Sequence, residues 1–163
     1  MTVVTILGAG GKMGNRVTKP LLDTKKYELR FVEKSEAGQA RIREAGLTVM
    51  ELDEALKGTD VVIFTTPDAL VRQISDEVVP KLDPGTKILF LDPAAIAASR
   101  VKKREDISCF VCHPTHPPVF SLLGETDPAA RRDYWGGGLA TQALVFAIAW
   151  GTEEEADLLL RLL

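Results

Sequence analysis

Two histidines, His113 and His116, stand in the run Cys109 to Phe120 (CFVCHPTHPPVF), with Pro114, Pro117 and Pro118 around them. An imidazole titrates near neutrality, so a histidine on a stiffened backbone suits acid–base work on a hydroxyl or carbonyl. His116 is the expected base, and His113 the expected group that positions or polarises a substrate oxygen. A purely structural role, bonding loop carbonyls, is the competing account of each ring. Cys109 to His113 also spells CxxCH, the haem-attachment pattern. Side chains alternate faces along an apolar strand, so these two cysteines would point to opposite sides. The same alternation opposes a zinc site from Cys112, His113 and His116, which lacks a fourth ligand as well. No metal site is therefore expected, and the thiols read as core residues.

A second chemistry-bearing stretch opens the chain. Thr2 to Leu7 (TVVTIL) has the composition of a strand buried on both faces, and it breaks into Gly8, Gly10, Gly11 and Gly14. Met13, Val17 and Leu21 then recur every four residues, the apolar stripe of a helix. Strand, glycine turn and helix form the context in which such glycines hold a dinucleotide pyrophosphate. Gly8 would reverse the chain, Gly10 and Gly11 would admit the pyrophosphate to the backbone, and Gly14 would let helix and sheet touch. Lys12 and Met13 complete the helix N-terminus, whose free N–H groups and dipole attract negative charge. The pattern reads as GxxGxxG (Gly8, Gly11, Gly14) rather than strict GxGxxG, since Met13 takes the last position of the latter.

Further along, Glu33 follows the expected second strand, where an acidic side chain binds the adenosine ribose hydroxyls and repels a 2′-phosphate. NAD is the expected cofactor on this ground. Lys34 and Ser35 come next and could host that phosphate, which keeps NADP open. Thr65, Thr66 and Pro67 end another apolar strand and would pass beneath the phosphate and ribose on the nicotinamide side. Asp92, with Pro93 and Ala94, should flank the nicotinamide itself.

Elements to hold these groups are legible along the chain. Strands are predicted over 27–32, 47–50, 60–66, 87–91 and 108–112, after the opening one. Helices are predicted from Lys12 to a stop or kink near Pro20, over 39–45 with Gly46 past its end, and around 53–57. Another starts at Asp68 with Leu70, Ile74, Val78 and Leu82 on one face, and a further one spans 94–103. Such alternation calls for an α/β doubly wound parallel sheet. Residues 113–135 form a long irregular loop of the kind that carries function. Gly136 to Gly138 should open a helix running to about Trp150, and Thr152 with Glu155 forms a capping box for a last helix. That helix ends in Leu158, Leu159, Leu160, Leu162 and Leu163, a face expected to meet a missing C-terminal domain or a partner subunit. The expected division is a nucleotide-binding domain over 1–137 and, over 138–163, the start of a truncated helical domain.

The 163 residues suit a domain of ordinary size, and 45% hydrophobic with 26% charged residues is a globular balance. A net charge of −3 leaves no basic excess for nucleic acid. No apolar run reaches a membrane span, no signal peptide is evident, and two cysteines without an export signal suggest reduced thiols in the cytoplasm.

GAGGKMG (Gly8–Gly14), DVVIFTTPD (Asp60–Asp68) and HPTHPPVF (His113–Phe120) together resemble the 6-phosphogluconate-dehydrogenase-like and ketol-acid-reductoisomerase-like oxidoreductases. Prephenate dehydrogenase is similar too. The histidine–proline loop, with ETDPAARRDYWGG (Glu125–Gly137), looks most like the D-apionate oxidoisomerase branch. The resemblance implies a Rossmann NAD(P)-binding fold and an NAD(P)-dependent dehydrogenase or oxidoisomerase acting on a hydroxy acid or sugar acid. It also implies a C-terminal helical domain that builds a homodimer. A nucleotide-binding module without catalysis, acting in sensing or association, is the alternative.

Overall fold

The computed structural model describes residues 1–115, 128–131 and 143–160. Among them the elements run β1 (Thr2–Leu7), α1 (Lys12–Thr24), β2 (Tyr27–Val32), α2 (Glu36–Glu44), α3 (Leu52–Ala55), β3 (Val61–Phe64) and α4 (Asp68–Val78). There follow a 3₁₀ turn over Val79–Lys81, β4 (Lys87–Phe90), α5 (Ala94–Ala97), β5 (Ser108–Thr115), α6 (Pro128–Arg131), β6 (Ala143–Trp150) and α7 (Glu153–Leu160). The strands form a sheet in the order β2-β1-β3-β4-β5-β6. All neighbours are parallel except β6, which runs antiparallel to β5.

Period-two alternation sorts the strand residues into two cores. Val4, Ile6, Val61, Ile63, Leu89, Phe110 and Cys112 face one side with Leu21 of α1, Ile42 of α2 and Leu159 of α7. Leu7, Val62, Phe64, Ile88, Phe90, Cys109 and Val111 face the other, against Val71 and Val78 of α4. Helices thus cover both faces, as a buried parallel sheet requires. Cys109 and Cys112 sit in different layers, which is what strand alternation implies for residues three apart. One polar side chain is built into the centre: Thr5 is fully buried, its Oγ1 donating to the Ala55 carbonyl (2.9 Å) and sharing a bond with Thr59 Oγ1 (3.0 Å).

Several expectations are corrected. Residues 143–150, expected in a helix, form β6; Val, Phe, Ile and Trp in this run favour a strand, and an all-apolar octet carries no period to tell the two apart. The expected strand over 47–50 shrinks to one bridge between Phe31 and Val49 on the outer flank of β2. Helix α1 continues through Pro20 to Thr24, because Pro20 is on the exposed face where solvent can meet the carbonyl its missing N–H leaves unpaired. The helix after Asp92 ends at Ala97, and Ser99 follows in a left-handed conformation (φ 52°). On α4 it is Val71, Ser75 and Val78 that are buried, while Leu70 is exposed.

The capping box expected for the last helix is present: the Glu155 N–H donates to Thr152 Oγ1 (3.2 Å), and the Thr152 N–H to Glu155 Oε2 (2.9 Å). Ala156 and Leu159 of α7 are buried against the sheet, so part of the leucine face docks internally. Both β6 and α7, expected to begin a second unit, therefore pack on this sheet.

Candidate functional site

Strands β1 and β3 are neighbours, yet β1 leads outward to β2 and β3 leads the other way to β4. Where strand order reverses in an open α/β sheet, a crevice opens at the carboxyl ends. A cleft of about 710 Å³ lies there, bounded by Gly8, Gly11, Val32, Glu33, Thr65 and Thr66 among others.

The first wall is the glycine turn. Gly8 has φ 79°, and a Cβ there would press on Thr66 Cγ2 at 3.1 Å, so both conformation and space call for glycine. The Gly8 and Ala9 N–H groups donate to the Val32 carbonyl (2.9 and 3.2 Å), which ties the turn to the end of β2. Gly11 is the N-cap of α1 and supplies no side-chain cap; a Cβ on it would meet only the Gly8 carbonyl, at 3.2 Å. The first-turn N–H groups of α1 are therefore without a side-chain cap at a bare surface, with no acidic residue in that turn. Lys12 and Met13 line the same wall. Gly14 acts elsewhere: a Cβ would stand 2.5 Å from the Ala9 and Gly8 carbonyl oxygens, so the bare position lets α1 lie on the turn rather than on the sheet.

Gly10 has a different reason from the expected one. It is not on the cleft wall: a Cβ there would collide with the backbone of Gly38 in α2. Its N–H donates to Glu33 Oε2 (3.1 Å) and its carbonyl accepts from Arg41 Nε (2.7 Å). Gly10 is thus the contact between turn and α2.

Glu33 lines the cleft just past β2, as its position predicted. Its Oε1 accepts from the Ser35 N–H and Ser35 Oγ (both 2.9 Å), and Oε2 accepts from Gly10, so the carboxylate braces the turn. Gly38 makes room for it, since a Cβ there would lie 2.5 Å from the Glu33 Cδ. Lys34 and Ser35 share this rim.

Opposite stands the end of β3. Thr65 Oγ1 donates to the Leu7 carbonyl (2.8 Å) and stitches the two central strands together. Thr66 lines the cleft, and its Oγ1 is buried without a hydrogen-bond partner. A buried hydroxyl left unpaired costs on the order of 1–3 kcal/mol unless something supplies the bond. Pro67 follows, and α4 brings Leu70 and Ile74 to the cleft as an apolar flank. Arg41 and Glu77 were not singled out from sequence, and Leu70 and Ile74 were read only as part of an apolar helix face; Ile74, Val78 and Leu82 of that face meet the core, while Leu70 is exposed.

Asp92 and His113 lie on the same carboxyl edge, past β4 and late in β5, outside the lining of this cleft. The His113 Nδ1 is 2.9 Å from the Leu91 carbonyl. A carbonyl only accepts, so Nδ1 carries the proton and the neutral ring keeps its lone pair on Nε2. Asp92 Oδ2 is 3.9 Å from that same Nδ1, while Asp92 Oδ1 accepts from the Ala94 N–H (2.7 Å) at the start of α5. The structure brings His113 to Asp92, and His116 lies outside the described residues.

The residues present fit a dinucleotide: a bare helix N-terminus beside Gly11, an unpaired buried hydroxyl at Thr66, and an acidic rim at Glu33 line one cleft. Comparison with known proteins agrees. The chain is 44% identical over 156 residues to D-apionate oxidoisomerase of Cupriavidus necator, covering 95% of this chain and 55% of that protein. It is 43% identical over 154 residues to the enzyme of the same name from Rhizobium rhizogenes, covering 94% and 55%. The chain thus spans about half the length of these relatives. A solved structure from Cupriavidus necator, described as a semialdehyde dehydrogenase NAD-binding protein in complex with calcium and NAD, superposes with a TM-score of 0.86. That protein is 42% identical, and the match covers 99% of this chain and 58% of the other. The family model described as "Acetohydroxy acid isomeroreductase, NADPH-binding domain" matches residues 2–121. The chain belongs to that family, and its Rossmann sheet is an NAD(P)-binding domain.

Proposed function

We propose that the chain is the NAD(P)-binding part of an oxidoreductase that acts on a hydroxy acid or sugar acid, a D-apionate oxidoisomerase-like activity. The observation that carries the reading is the single cleft joining Gly11, the uncapped start of α1 and the unpaired Thr66 hydroxyl. A nicotinamide, when bound, supplies the hydride acceptor. The amides at the start of α1 hold the pyrophosphate, Thr66 Oγ1 supplies a further hydrogen bond, and Glu33 receives the adenosine ribose. Its negative charge supports NAD over NADP.

At the redox end, Asp92 is set just past β4 and His113 late in β5. His113, with Nδ1–H committed to the Leu91 carbonyl, presents Nε2 to a substrate oxygen. His116 is assigned as the base that takes the hydroxyl proton. Two copies associating through the C-terminal helices, in the cytoplasm, complete the proposal; the buried unpaired thiols of Cys109 and Cys112 support a reducing compartment.

The test is a fluorescence titration of the chain with NADH. Gly11→Asp places a carboxylate against the pyrophosphate and should weaken binding by at least about tenfold. Unchanged affinity would reject the cleft. Turnover of branched sugar acids, followed as NADH formation, should collapse in His116→Ala with cofactor affinity retained; equal loss of both would reject the assigned base.

A further inference from the structure

We infer that Glu77 is a cofactor-selecting residue: from α4 it holds the Lys34 ammonium across the adenosine end of the cleft and so withholds that cation from a 2′-phosphate. The inference rests on the dinucleotide reading of the cleft and deepens it. Lys34 directly follows Glu33, at the strand end where adenosine ribose hydroxyls are received. Its Nζ is 3.0 Å from Glu77 Oε2, and both residues line the cleft. Leu70, Ile74 and Glu77 are spaced i, i+4, i+7 on α4, so the carboxylate stands on the same stripe as the apolar flank.

Six charged residues line the cleft: Glu33, Asp68 and Glu77 against Lys12, Lys34 and Arg41. The sum is zero. Arg41 already gives Nε to the Gly10 carbonyl, and Lys34 gives its ammonium to Glu77. A 2′-phosphate, with close to two negative charges, would enter a lining of no net charge in which the lysine next to Glu33 is already engaged. NAD brings no such charge and meets no such obstacle. The pair is well exposed, with side-chain exposures of 72% and 37%, so it biases the choice rather than forbidding the phosphate. Exposed pairs of this kind couple by several-fold at most.

The experiment is a matched titration with NADH and NADPH on the parent chain, Glu77→Gln, Lys34→Gln and the double variant. Glu77→Gln should tighten NADPH about three- to fivefold and leave NADH within about twofold. Lys34→Gln alone should move neither by more than about twofold, and in the double variant the NADPH gain should vanish. High salt should shrink the gain, as screening requires. Glu77→Gln leaving the NADPH-to-NADH ratio unchanged would overturn the inference, and so would a gain that survives in the double variant. Failure of the parent chain to bind either dinucleotide would instead undo the cleft reading beneath it. All four side-chain combinations are solvent-facing, and equal thermal midpoints would show that each variant folds.

Discussion

Gly10 and Gly11 sit side by side, and mutation can separate the packing of the first on α2 from the cofactor contact proposed for the second. In Gly10→Ala the new methyl would lie 2.5 Å from the Gly38 carbonyl carbon and Cα, where unstrained carbon contacts begin near 3.5 Å. The obstacle is backbone, so α2 must retreat by about 1 Å, and such overpacking costs roughly 1–3 kcal/mol. Retreat also strains the bonds from the Gly10 N–H to Glu33 (3.1 Å) and from Arg41 to the Gly10 carbonyl (2.7 Å), each involving a charged group and worth about 1.5 kcal/mol or more. The expected loss is about 2–4 kcal/mol, seen without any cofactor. With a urea dependence of about 1–3 kcal/mol per molar, the unfolding midpoint should fall by about 1–2 M. Gly11→Ala meets only one atom, at 3.2 Å, and replaces a tolerable N-cap by a poor one, a loss of about 1 kcal/mol or less. Its effect should fall on NADH affinity instead. Should Gly10→Ala unfold within about 0.5 kcal/mol of the parent, or Gly11→Ala prove the less stable of the two, the division of labour is wrong.

Other expectations are shorter. Thr5→Val removes the bonds to the Ala55 carbonyl and the Thr59 hydroxyl, which keep Arg30 and the Val61 carbonyl as partners, and should lower stability by about 0.5–1.5 kcal/mol in urea unfolding. Thr152→Ala removes one arm of the capping box and should lower the thermal midpoint by about 2–4 °C, read by circular dichroism. The Glu155 carboxyl is held below the usual value of 4.5, first by the Ser108 side chain and then by the Thr152 backbone and hydroxyl. A carboxyl lowered in the folded state stabilises it above the unfolded value and loses that contribution as pH falls through the folded one. The stability gap between parent and Glu155→Gln should therefore be full at neutral pH and close on acidification below about pH 4.5, which unfolding at a series of pH values will show. Burial raises the thiol values of Cys109 and Cys112, so a thiol reagent at pH 8 should find neither in the native chain and both after unfolding.

How far the sequence carried depended on whether local chemistry or tertiary contact decided each residue. Gly8, Gly14, Glu33 and the Thr152–Glu155 box were legible because a turn, a close approach or a cap is set by residues near in sequence. The alternation of Cys109 and Cys112 followed from strand geometry alone. Residues 143–150 were misread because an unbroken apolar octet has no polar face to mark its period, and only pairing with β5 decides it. The packing role of Gly10 was not legible because its neighbour, Gly38, is far along the chain and reaches it only through packing of α2. Arg41 and Glu77 were missed for a related reason: charged residues on helix surfaces carry no local sign that a cleft lies beside them.

The outermost strand has a consequence for handling the protein. β6 reads ALVFAIAW, with no charge and no proline along eight residues, and Leu144, Val145 and Ile148 are 48%, 56% and 40% exposed. Borders of sheets are ordinarily blunted by lysine, proline or a twist that spoils further pairing. This one is not. At high concentration the chain by itself should be prone to sticking, and a single lysine at Val145 should raise its solubility more than any change to the cleft.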